Sequence, residues 1–87
     1  MKEQVQSGVL TVAGENEATI HLEKEPIKVE VEFKEHHPHP CSPHHNTLRW
    51  EIHEHERHHR TPHGWFLQIW WSVSDIQEII WRVEFRG

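Results

Sequence analysis

Apolar residues in this chain recur every second position rather than every three or four, and that period is the signature of strands. Residues 27–35 are the clearest case: Ile27, Val29, Val31 and Phe33 alternate with Lys28, Glu30, Glu32 and Lys34, one set for each face of a pleated strand. Residues 18–24 set Ile20 and Leu22 against Thr19, His21 and Glu23. Before them, 9–13 is bounded by Ser7-Gly8 and by the turn cluster Gly14-Glu15-Asn16, and reads as a short first strand. Residues 47–56 direct Leu48, Trp50 and Ile52 inward and Arg49, Glu51, His53 and His55 outward.

The stretch 65–74 is apolar on both sides, with Leu67, Ile69, Trp71 and Val73 on one and Phe66 and Trp70 on the other. The last segment alternates Ile79, Trp81, Val83 and Phe85 with Ile80, Arg82, Glu84 and Arg86. A helical reading competes near residues 75–80, where Ile76, Ile79, Ile80 and Val83 also fit a helical stripe and Ser74 with Gln77 resembles a capping box. The β-branched and aromatic content of 79–85 favours a strand. The pattern therefore predicts an all-β, small, single-domain antiparallel β-sandwich of about six strands spanning residues 1–87, with a short helical turn near 75–80 as the competing local reading.

Composition narrows the picture. A chain of 87 residues with 34% apolar content buries only about 60 to 65% of its unfolded surface, so the core is small and the five tryptophans carry much of it. A single cysteine rules out an internal disulfide framework. The opening MKEQVQSG lacks the apolar run of a signal peptide, and no segment has the length of a membrane span. The expectation is synthesis in the cytoplasm and no membrane partner. A formal charge of −5 and dispersed arginines disfavour nucleic acid. Full protonation of the eleven histidines would carry the charge from −5 to +6, so the sign of the surface depends on pH.

Those histidines are the chemistry the sequence offers. They concentrate in two polar loops, 36–46 and 57–64, the first within EHHPHPCSPHHN (35–46), where three prolines exclude a helix interior or a central strand. His37, His39 and Cys41 in that loop, with the strand pair His53 and His55, are candidate ligands for zinc, nickel or iron. The spacing matches no zinc signature. Residues 47–56 would span about 33 Å as one strand, which separates the two loops in one subunit. A metal would then be held between subunits of a symmetric oligomer. No cofactor follows with certainty. Cys41 has histidines nearby, but nothing marks the shaped pocket and orienting group that a Cys-His pair also needs; phosphate loops and nucleophile elbows are absent, and no enzyme is read.

FLQIWW (66–71) points to function more directly. Adjacent tryptophans in a strand face opposite ways, so with Trp71 in the core Trp70 and Phe66 lie outside. Covering them calls for a second layer or another subunit. Phe66, Trp70 and neighbouring Trp65 are the candidate interface residues, and a homo-oligomer or larger assembly is the expected partner.

The order ATIHLEKEPIKVEVEF, a loop, GWFLQIWWSVSD and EIIWRVEFRG resembles the H-type lectin-like six-stranded sandwich, a fold of secreted lectins and of bacteriophage tail and fibre proteins. The resemblance rests on strand order, on the Lys24-Glu25-Pro26-Ile27 passage and on the final strand bearing Trp81. It implies an oligomeric β-sandwich, a virion component of decoration, tail or fibre-attachment type, and carbohydrate as a conceivable ligand with no residue assigned to it.

Overall fold

A computed structural model describes residues 4–34, 46–56 and 63–87. These residues form one antiparallel sheet of four strands: β1 (Gln4–Leu22), β2 (Pro26–Phe33), β3 (Thr47–His55) and β4 (Gly64–Phe85). β4 is the spine. β1 pairs along its whole length on one side, while β3 pairs with its first part, from Ser72 back to Gly64, and β2 with its last, from Ile79 to Phe85, on the other.

The all-β antiparallel expectation holds, but two strand boundaries expected from sequence do not exist. The Gly14-Glu15-Asn16 cluster is not a turn between strands; it lies inside β1, where the pairing shifts between Val12 and Gly14. Gly14 takes φ +62°, a left-handed conformation that costs an L side chain about 1 to 2 kcal/mol. Opposite it, Ser74, Asp75 and Ile76 of β4 have no register partner on β1 and are exposed. Both strands turn a corner together there, so the pairing resumes beyond it and six expected segments merge into four strands.

The helical reading of 75–80 fails at the same place. β4 continues as strand to Phe85, and Ile76 is 72% exposed while Ile79 is fully buried. A helical stripe would have buried both. Alternation wins because Ile79, Trp81, Val83 and Phe85 need one common inner face.

The corner must be sharp. Twenty-two residues of straight strand would reach about 70 Å, yet the longest dimension of the molecule is 47 Å. Only residues 23–25 separate Leu22, paired with Trp65, from Pro26, paired with Phe85, and a link so short spans at most about 14 Å. The two ends of β4 are therefore brought near each other. Gln6 and residues 21–23, far apart along β1, touch: the Gln6 side-chain amide donates to the His21 carbonyl at 3.2 Å, and its oxygen accepts from the Glu23 N–H at 2.8 Å.

The inner faces thus brought together hold the core. Leu67, Ile69, Ile79 and Val83 have no exposed surface, and Val12, Leu22, Trp71, Val73, Trp81 and Phe85 complete the cluster. Leu67 and Ile69 from one half of the sheet and Ile79 and Val83 from the other belong to one buried cluster, and no helix lies among the described residues. Gly8 fits beneath Trp81: a Cβ there would stand 2.9 Å from the indole ring. Trp71 donates its indole N–H to the Ala13 carbonyl at the corner, at 3.5 Å, and the Asn46 side chain accepts from the Ser74 N–H at 3.1 Å.

Two residues expected inward, Ile27 and Trp50, are exposed instead. Ile27 is 59% exposed because the β2–β4 register shifts between Pro26 and Lys28. That bulge takes Ile27 out of the alternation that Val29, Val31 and Phe33 keep.

Leu67→Ala is expected to lower unfolding free energy by about 3 kcal/mol, the cost of a core cavity. Ile27→Ala should lower it by less than about 1 kcal/mol. Urea unfolding followed by tryptophan fluorescence checks both, and equal losses would contradict the bulge placement.

Candidate functional site

Alternation leaves β4 with an outer face whose character changes at the corner. Beyond it, the outward residues Arg82 and Glu84 join an ionic ladder: Arg82 to Glu84 at 2.6 Å, Arg82 to Glu30 at 3.8 Å and Lys28 to Glu84 at 3.9 Å. Such a ladder is a solvated face. Before the corner the outward residues are Phe66, Gln68, Trp70 and Ser72, all half-buried, and the flanking strands set polar and imidazole side chains around them.

Register builds this face row by row. His21 of β1, Phe66 of β4 and His53 of β3 form one row; Thr19, Gln68 and Glu51 the next; Glu17, Trp70 and Arg49 the third. The His21 and His55 rings lie against Phe66 at 5.0 and 4.8 Å between centroids. The Arg49 guanidinium sits 4.3 Å above the Trp70 ring, a geometry in which the ring quadrupole attracts the cation. Between the aromatics Gln68 accepts from the Thr19 hydroxyl at 2.7 Å and donates to Glu17. The face is thus two aromatic platforms with polar rims, joined by an amide.

Of the candidate interface residues, Phe66 and Trp70 share this face. Trp65 does not: it packs against the core on the side of Leu67, as its odd position requires. The candidate ligands divide similarly. His37, His39 and Cys41 lie outside the described residues. His53 and His55 are i, i+2 neighbours with rings 6.4 Å apart and edge to face. His53 stands 3.0 Å from the Glu51 carboxylate, while His55 turns its ring to Phe66. Among the described residues no three histidine, cysteine or carboxylate side chains converge as a metal site. At the same end of β3, His63 meets Glu54 at 2.8 Å.

Two groupings were not legible from the sequence. His21 reads there as a polar strand residue, and only the β1–β4 register places it on Phe66. Trp50, read as inward, is 38% exposed. With the bulged Ile27, Trp65 and Ile52 it lines a cleft of about 280 Å³ between the halves of the sheet, on the side where β2 and β3 hardly touch. No helix among the described residues is long and apolar enough to cross a membrane.

Arg49→Ala removes the cation from Trp70 and is expected to cost about 0.5 to 1 kcal/mol in stability. Arg49→Lys should retain part of it. Unfolding midpoints, with the Trp70 contribution isolated in a double-mutant cycle with Trp70→Leu, check this; additive losses would exclude the interaction. In comparisons with known proteins, no family model, no curated protein and no solved structure matches this chain.

Proposed function

We infer that this protein is a non-enzymatic interaction module that works by assembling with other protein subunits, foremost copies of itself. The carrying observation is the pair Phe66 and Trp70, half-buried on the outer face and rimmed by His21, His55 and Arg49. Aromatic anchors with cationic and polar rims are the composition of interface hot spots. On this reading the cornered sheet is a β-sandwich of six strand segments, three in each layer. That architecture agrees with the resemblance in strand order to sandwich subunits of phage tails and fibres, and a virion component of decoration or attachment type is the proposed setting.

A histidine-dependent metal module is the second reading. It is favoured by the adjacency of His53 and His55 on one strand face, with the remaining ligands contributed by another subunit. The two readings differ in what stripping metal does.

Trp70→Ser is expected to shift the chain toward monomer in sedimentation velocity while chelator leaves the wild type unaltered. An unchanged mass distribution for Trp70→Ser would overturn the aromatic-face reading. Loss of assembly in chelator, restored by zinc or iron and abolished by His53→Ala with His55→Ala, would replace it with the metal reading.

A further inference from the structure

The sheet has three outer strand edges, and they are not equivalent. Along β2 the edge is interrupted by Pro26 and by the bulge at Ile27, and Lys28 lies beside them. Proline, bulge and lysine are devices that discourage further pairing. Along β1 the edge is broken by the corner at Gly14. β3 is different: its nine residues pair with β4 without a register shift, it contains no proline or glycine, and no described strand pairs with its other side. Trp50, at its middle, is 38% exposed beside the cleft that Ile27 and Trp65 line.

An edge of this kind is a template for another strand, and the sequence of β3 indicates which. Residues directly opposite in an antiparallel pair share a face, so a copy of β3 docked about a two-fold axis can be centred on any residue. Centred on Trp50, the pairing sets Arg49 against Glu51 of the copy and Glu51 against Arg49 of the copy on the outer face. On the inner face it sets Trp50 against Trp50 and Leu48 against Ile52. Centring on Arg49 or on Glu51 would oppose like charges at the axis. Centring on Ile52 would oppose Trp50 to Glu54. One register alone matches charge with opposite charge and apolar with apolar.

We propose that β3 pairs antiparallel with β3 of a second copy about a two-fold axis at Trp50, joining two sheets into one continuous sheet. This rests on the assembly reading above and names its occupant and register. The two Trp50 side chains meet at the mouths of the two clefts, which gives their exposure a partner. On the outer face the Arg49 that stacks on Trp70 reaches Glu51 of the copy, which already has His53 at 3.0 Å. The pairing thereby links the aromatic face of one copy to that of the other.

Sedimentation of the full chain tests the pairing by charge exchange. Arg49→Glu or Glu51→Arg alone is expected to weaken dimerisation about tenfold or more, since each change acts twice across the axis. The combined variant Arg49→Glu/Glu51→Arg should recover the wild-type dimer, although it still lacks the cation over Trp70. Trp50→Cys in a Cys41→Ser background should oxidise to a covalent dimer, because Cα atoms of an opposed antiparallel pair lie about 4.5 to 5.5 Å apart, within disulfide range. Val29→Cys in the same background should not. A wild type that assembles while both single charge variants assemble equally well, or a Trp50→Cys chain that stays monomeric under oxidation, overturns the β3 pairing. It leaves the aromatic-face reading to stand or fall with Trp70→Ser. Singles that dissociate without recovery in the combined variant overturn the register. A wild type monomeric at millimolar concentration overturns this proposal and self-assembly together.

Discussion

The corner shared by β1 and β4 is the constraint on which the molecule depends. A single sheet of this length has one apolar face, and the described residues include no helix to put against it. Bending the sheet at Gly14 and residues 74–76 brings the two halves of that face together. Gly14 supplies the left-handed backbone, the Ser74–Ile76 segment supplies extra length on the neighbouring strand, and Trp71 and Asn46 occupy hydrogen-bonding groups that the broken ladder frees. Without the corner, Leu67, Ile69, Ile79 and Val83 would face water.

The same bend distributes the surfaces. It places the ends of β4 side by side, so β2 and β3, which pair with opposite ends of one strand, become neighbours across a gap. It also divides the outer face in two. One half is a ladder of lysine, arginine and glutamate; the other carries Phe66 and Trp70 under histidine and arginine. An ionic ladder is at home in water, whereas an aromatic pair that is only half covered retains apolar area for a partner. The asymmetry between halves is what gives the proposed interaction surface a location on an otherwise repetitive fold.

Much of this was legible along the chain. The two-residue period identified stretches inside all four strands, though not the Gln4–Gly8 start of β1 or its passage through Gly14–Glu17, and the parity of 66–73 sets Trp70 and Trp71 on opposite faces, because pleating allows no other arrangement. The limits of the sequence reading are equally specific. A Gly-Glu-Asn cluster signals a reversal of the chain equally well as a hairpin turn or as a bulge, and only the partner strand decides between them. Ile27 continued a clean alternation, but the register slip beside Pro26 displaced it. Trp65 adjoins Phe66 in sequence, but its parity sets it on the opposite face, where it packs against the core.

What the sequence determined by itself was local: strand content, which residues share a face, and the small core with its dependence on tryptophan. These follow from backbone sterics and side-chain period, which act within a few residues. The tertiary structure decided how segments were joined and what they touched: four cornered strands in place of six, His21 and His55 on Phe66, Arg49 over Trp70, and an unbroken β3 edge with Trp50 at its centre. Each of those depends on the pairing register between residues tens of positions apart, and register is fixed by which inner faces pack together, a choice made only when the sheet closes on itself.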